Sequence, residues 1–240
     1  MTFCAVIPTY NNARTVADSV NRTLAVCPQV IVVNDGSTDD TLAVLEPLKE
    51  NIQLITYPRN RGKGHALRLG LEAARKAGYD YAVTLDSDGQ HSPEEIPTLV
   101  AAAEDDNTLV VGRRNIQADG MPAGNTFANR FSNFWFRLQT GIRLPDTQTG
   151  FRLYPLNLLP CLALLTARYE SELELLVFSA WRGVRLVPVS VSVSYPADRV
   201  THFRPFWDFF RISLLNTVLC ILAIVYGYPR MLLSKLKGNN

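Results

Sequence analysis

Tyr81-Ala82-Val83-Thr84-Leu85-Asp86-Ser87-Asp88-Gly89-Gln90-His91 is the stretch on which the fold turns. Tyr81 to Leu85 form a short apolar run rich in strand formers, and the run stops at two carboxylates set among Ser and Gly, which are turn formers. In an open α/β sheet, ligands bind outside the carboxyl ends of the strands, so Asp86 and Asp88 are expected to point into a cleft. Spaced i, i+2 on a turn, they can share one hard divalent cation. The Gln90 amide oxygen is a further candidate ligand, phosphate oxygens would complete an octahedron, and Mg²⁺ or Mn²⁺ is implied. An isolated Asp-x-Asp is also an ordinary turn, so its weight depends on what else reaches the same edge.

Working outward, similar β-branched runs recur at 3–7, 30–33, 52–57 and 108–112, each followed by a helix-like or turn-like stretch. That alternation predicts a mostly parallel sheet flanked by helices. Leu67, Leu71 and Ala74 mark a helix over 63–77 closed by Gly78, and Ser92-Pro93-Glu94-Glu95 predicts a capped helix from 93 to about 104. Beyond Arg114, Gly120, Pro122 and Gly124 break the pattern before an aromatic helical segment, Phe127 to Leu138. A loop from Thr140 to Gly150, a helix over 169–182 and strands within 184–195 follow. Three more strand ends are polar: Pro8-Thr9-Tyr10-Asn11-Asn12, Asn34-Asp35-Gly36-Ser37-Thr38 and Asn60-Arg61-Gly62-Lys63-Gly64. Asp35 can accept base or ribose hydrogen bonds, Tyr10 can pack on a base, and Lys63 between glycines can approach phosphate. Together these ends predict a nucleotide cleft.

Five motifs in this order and spacing, P-T-Y-N at 8–11, V-N-D-G-S-T-D at 33–39, N-R-G-K-G at 60–64, D-S-D-G-Q-H at 86–91 and D-T-Q-T-G-F-R at 146–152, resemble the family 2 glycosyltransferases of GT-A fold. The branch they resemble is that of dolichyl-phosphate mannose synthase and related polyprenyl-phosphate sugar transferases. The resemblance runs over roughly residues 3–205. It implies an inverting transfer from a UDP- or GDP-linked sugar, with Pro8, Tyr10, Asn11 and Asp35 on the nucleoside and Asp86, Asp88 and Gln90 on the metal. The family pattern carries an acid after Tyr-Asn, where this chain has Asn12. Arg199 falls where the related synthases carry a mobile loop whose arginine closes on the pyrophosphate.

Other charged residues have two readings each. Arg113 and Arg114 are candidates for acceptor phosphate or donor diphosphate, or a solvated edge pair. A sugar or lipid hydroxyl acceptor needs a base, for which Asp146 and Glu172 are candidates. A polyprenyl phosphate is already an anion and needs none, and these acids would then order Arg113, Arg114 or Arg152.

The 240 residues are 47% apolar and 19% charged with a net charge of +2, which excludes a disordered chain and gives no reason to expect nucleic acid. The charge divides unevenly, into −3 for residues 1–198 and +5 for 199–240. From Ile212 to Pro229 no residue is charged; as a helix this is about 27 Å long against a hydrocarbon core of roughly 30 Å. Aromatics and charges at 205–211 fit an interfacial helix, and the basic tail fits anionic headgroups. The expected organisation is a GT-A domain at 1–196, an acceptor loop and interfacial helix at 197–211, and an apolar membrane-associating or single-pass helix at 212–240. No signal peptide is recognised, so the catalytic portion is expected at the cytoplasmic face of the membrane. The expected partners are a nucleotide-sugar donor, a lipid-linked acceptor, the membrane and other envelope-biosynthesis enzymes. The four scattered cysteines suggest no metal site. A sugar-1-phosphate nucleotidyltransferase is disfavoured because no G-x-G-x-R segment follows the first strand, and a nucleotide-sugar-binding scaffold subunit is the non-enzymatic rival.

Overall fold

The computed structural model describes residues 1–114, 123–159, 166–194 and 205–237. In chain order these form β1 (Phe3–Thr9), α1 (Val16–Val26), β2 (Val30–Asn34), α2 (Thr41–Leu45), β3 (Gln53–Thr56), α3 (Lys63–Lys76), β4 (Tyr81–Thr84) and α4 (Ile96–Ala101). There follow β5 (Thr108–Arg114), α5 (Ala123–Thr140), β6 (Arg152–Pro155), α6 (Glu170–Trp181), β7 (Arg185–Val191), α7 (Pro205–Leu222) and α8 (Tyr228–Lys237).

The seven strands lie in the order β3-β2-β1-β4-β6-β5-β7. β1 to β4 are mutually parallel, as the alternation predicts, and Thr9 pairs with Asn34 so that β1 and β2 end level with each other. All five residues of β2 are buried, the pattern of a strand covered on both faces. Helix α3 lies tightly on β1 because Gly70 has no side chain: a Cβ there would meet Val6 Cγ1 at 2.3 Å. Two apolar clusters result, one on each face of the sheet.

The alternation leaves one strand's direction open, and one helix departs from expectation. β6 runs antiparallel between β4 and β5, since the chain reverses through residues 141–151 before re-entering the sheet. The helix expected over 93–104 is a 3₁₀ turn, Pro93–Glu95, followed by the short α4. Pro93 and Pro97 lack donors and Ser92 makes no side-chain cap, so a continuous α-helical start is not built.

The charge-free run occupies α7, a π-helical stretch at Ala223–Gly227 and the start of α8. One side of it is packed on the body. Leu215, Leu219 and Ala223 are buried, and Gln139 Nε2 donates to Asn216 Oδ1 at 2.9 Å. Cys4 and Cys27 are buried free thiols and Cys220 is half-buried; Cys161 lies outside the described residues.

Candidate active site

The carboxyl ends of β1, β2 and β4 and the first turn of α3 enclose a cleft of about 540 Å³. Pro8, Tyr10, Asn11, Asp35, Lys63, Asp86, Asp88 and Gln90, all singled out in the sequence, line it together. Asn12, Asn60, Ser87, Arg168 and Tyr169 line it as well.

At its floor Lys63 Nζ lies 2.6 Å from Asp86 Oδ1 and 3.1 Å from Glu172 Oε2. Burial works against the ammonium charge, but the two carboxylates outweigh it and raise the pKa of Lys63. Burial likewise works against Asp86, and the charge and hydrogen bond of Lys63 with the charge of Arg152 overcome it and hold the carboxyl below its ordinary range. The trio is closed by Gly150, where a Cβ would stand 2.8 Å from Asp86 Oδ2 and 3.1 Å from Lys63 Nζ. His91 Nδ1 accepts the Asp86 N–H at 3.3 Å, and burial pushes the imidazole down to about 4, so it is neutral at pH 7. Beneath lies Arg152, fully buried, donating to Tyr154 Oη and to the backbone carbonyls of Glu172 and Thr147.

Asp88 accepts from the Gln90 backbone N–H at 3.0 Å and from Gln90 Nε2 at 2.7 Å. The turn is braced from β1's end: Asn12 Nδ2 donates to Ser87 Oγ at 2.8 Å, and Thr15 Oγ1 donates to the Ser87 carbonyl at 2.6 Å. Asn12, where the family pattern carries an acid, therefore ties the first motif to the Asp-Ser-Asp turn. Asn11 takes a left-handed backbone, φ 52°, a conformation Asn tolerates better than most side chains. Its Oδ1 accepts from the Thr38 N–H at 2.8 Å.

Asp35 is 2% exposed, and Tyr57 Oη (2.7 Å), Arg61 N (2.7 Å), Asn60 Nδ2 (2.9 Å) and Gly62 N (2.8 Å) all donate to it. Four donors fill the roughly four lone-pair positions of a carboxylate, so Asp35 orders the loop leading into Lys63. Gly64 makes the next contact possible: a Cβ there would meet Ser171 Oγ at 1.6 Å, so α3 and α6 touch at their first turns.

Asp146 is 0% exposed and lies outside the cleft lining. Arg114 Nε and Nη2 donate to it at 2.7 and 2.9 Å, Asn129 Nδ2 at 2.6 Å and Gln148 N at 3.1 Å. Burial works against its charge, and the Arg114 bonds overcome that to hold its carboxyl low. Of the two readings of Asp146, this geometry matches the one in which it orders Arg114. Arg113 donates to Ser190 Oγ at 2.9 Å. Arg199 lies outside the described residues.

Sequence reasoning missed Arg168, Gly150, and the Glu172–Lys63 pair. Gly150 and Arg152 stood inside a recognised motif, but only the three-dimensional approach of Asp86 to Gly150 assigns the glycine a task. Nothing in the local sequence marks Arg168.

A sheet with this order, presenting an Asp-x-Asp turn and a helix-borne lysine at one edge, defines a glycosyltransferase of GT-A type. The Glycosyl transferase family 2 model matches residues 4–162, and the chain belongs to that family. It is 28% identical over 237 residues to the UDP-N-acetylglucosamine--dolichyl-phosphate N-acetylglucosaminyltransferase of Methanococcus voltae, covering 88% of this chain and 94% of that one. With the undecaprenyl-phosphate mannosyltransferase of Micrococcus luteus it shares 27% identity over 80% of this chain and 83% of that one. The crystal structure of glucosyl-3-phosphoglycerate synthase from Mycobacterium tuberculosis with Mn²⁺, UDP and glucosyl-3-phosphoglycerate has the same fold. Its TM-score is 0.63 at 20% identity, covering 92% of this chain and 79% of that one.

Proposed function

We propose that this enzyme moves a sugar from a UDP- or GDP-linked donor, with inversion, to a polyprenyl phosphate at the cytoplasmic face of a membrane. The observation that carries the acceptor class is the engagement of the site's acids. Asp35 is saturated by four donors, Asp86 and Glu172 are tied to Lys63, and Asp146 is buried against Arg114. A hydroxyl acceptor needs a carboxylate ready to take a proton, whereas a phosphate monoester reacts as the anion it already is.

The Asp-Ser-Asp turn fits Mg²⁺ or Mn²⁺. Mg²⁺ is commonly held by one or two carboxylates with substrate phosphates completing the shell, and Asp86 and Asp88 offer two carboxylates at the cleft. Asp86 and Asp88 would hold the ion, with Gln90 adjoining through Asp88; when bound, the cation supplies Lewis-acid stabilisation to the departing nucleoside diphosphate. Tyr10 and Pro8 offer the wall for the base, and Asn11 and Asp35 shape the loops around the nucleoside. Lys63 and Arg168 add positive charge along the diphosphate path. Arg113 and Arg114, which lie outside the cleft lining, are assigned to the acceptor phosphate, and Arg199 to the pyrophosphate.

The experiment is transfer from labelled UDP- and GDP-sugars to polyprenyl phosphate, set against a glycolipid hydroxyl, with and without a chelator. Metal-dependent transfer to the phosphate is expected, with Asp88→Ala inactive. Transfer only to the hydroxyl would sink the acceptor assignment, and chelator-resistant transfer by Asp88→Ala would sink the metal assignment.

A further inference from the structure

Apart from Met1, Leu42 and Leu158, the large apolar side chains left exposed among the described residues lie on α5 and between Phe210 and Leu233, and two stripes stand out among them. On α5, Phe127, Phe134 and Leu138 are 66%, 60% and 49% exposed. They stand at i, i+7 and i+11, hence on one side of the helix, opposite buried Phe136. On α7 and the π stretch, Leu214, Ile221 and Ile224 are 58%, 60% and 70% exposed, while Leu215, Leu219 and Ala223 on the other side are buried. An ordinary surface helix is polar on its outer face. Here the outer face from Ile212 to Pro229 carries no charge.

By length and composition Phe210–Leu233 is long and apolar enough to cross a bilayer. Its inner face shows how it is held. Asn216 is 1% exposed and bonded to Gln139 of α5. Gly227 lies against Trp181 of α6, where a Cβ would come within 2.4 Å of the indole, and the Trp181 Nε1–H donates to the Gln139 carbonyl at 2.8 Å. The Tyr228 hydroxyl bonds the Leu138 carbonyl. A helix standing across the hydrocarbon would have to leave these partners, stranding the buried polar groups of Gln139, Asn216 and Trp181, each at a cost of about 1–3 kcal/mol.

The borders of the stripes are cationic. α5 carries exposed Arg130 and Arg137 and no acid, and exposed Arg211 and Arg230 bracket the charge-free run. Apolar stripes edged by arginine match the interface of an anionic bilayer.

We propose that this chain docks monotopically, with α5 and α7 both laid in the interface of an anionic bilayer and neither crossing it. The proposal rests on the membrane reading above and decides its geometry. It places the outward apolar residues at the headgroup–acyl boundary and keeps the cleft on the side from which the chain docks.

The test uses the full chain without substrate. Flotation compares vesicles of phosphatidylglycerol and phosphatidylcholine with vesicles of phosphatidylcholine alone, and alkaline carbonate is then applied to the bound protein. Binding to the anionic vesicles and release by carbonate are expected. Phe134→Ser alone, and Ile221→Ser with Ile224→Ser, should each weaken binding by at least about tenfold, because each removes apolar area from the interface. These positions are exposed, so unchanged melting of the variants verifies their fold. Carbonate-resistant insertion, with labels at Ser213 and Tyr228 reached from opposite sides, would overturn the proposal in favour of a spanning helix. Stable dimers with no vesicle binding would overturn it in favour of a second copy covering the stripes. Transfer to a short-chain, water-soluble polyprenyl phosphate reports the catalytic reading separately. It should survive the serine substitutions, and its absence in the unaltered protein would remove that reading while leaving the flotation result standing.

Discussion

Lys63 Nζ lies 2.6 Å from Asp86 Oδ1, and the same ammonium reaches Glu172 Oε2 at 3.1 Å, so one side chain joins the Asp-Ser-Asp turn to the first turn of α6. Removing it leaves two carboxylates without their shared cation. Lys63→Met is expected to lower stability by about 3 kcal/mol, near the lower end for a broken buried pair because Asp86 keeps 26% of its side-chain exposure. Urea unfolding measures this. An unchanged midpoint would show that the trio contributes nothing to the fold.

Gly150→Ala places a methyl 2.8 Å from Asp86 Oδ2 and 3.1 Å from Lys63 Nζ. Overpacking of this kind costs about 1–3 kcal/mol, and the group displaced is the Asp86 carboxylate. Transfer should fall by about tenfold or more, since small misplacements of reacting groups are costly. Binding of Mn²⁺ followed by electron paramagnetic resonance should weaken in parallel. Full activity would mean that Asp86 has room to move.

Asp146→Asn tests positioning against base catalysis. The substitution keeps the shape of the side chain but leaves Arg114 without its carboxylate, an expected loss of about 3 kcal/mol. Assayed below its melting point, the variant should retain the acid limb of the pH–rate profile of the parent enzyme. Disappearance of that limb would identify Asp146 as a base.

His91 links stability to pH. Its folded-state pKa is near 4 against an ordinary 6.5, so between those values the unfolded chain takes up a proton that the folded chain refuses. Stability is therefore complete above about pH 6.5 and declines as the pH falls towards 4, by about 3 kcal/mol in all. Denaturant unfolding of chelator-treated protein from pH 7 to pH 4.5 checks this. His91→Asn should flatten the part of the slope due to this residue.

Much of this was legible along the chain because sheet edges concentrate chemistry at the ends of apolar runs. Asp86, Asp88, Asp35, Tyr10 and Lys63 each follow such a run or open the next helix, and they do meet in one cleft. What was not legible concerns pairings over long separations. Glu172 lies more than 100 residues from Lys63, and Asp146 meets Arg114 across 32 positions. Both pairs join elements far apart along the chain, α3 with α6 and the end of β5 with the loop before β6, and local periodicity does not signal which elements meet.

The amino-acid order by itself determined the alternation of strands and helices, the edge at which the polar residues gather and the apolar character of the run from Ile212 to Pro229. These are local properties, set by side-chain periodicity and turn chemistry. The tertiary structure alone decided which acids are saturated and which cation they share, and that one face of Ile212–Pro229 is fastened to Gln139 and Trp181 while the other is left bare. Those outcomes depend on groups brought within about 3 Å by packing, the range over which hydrogen bonds and ion pairs form.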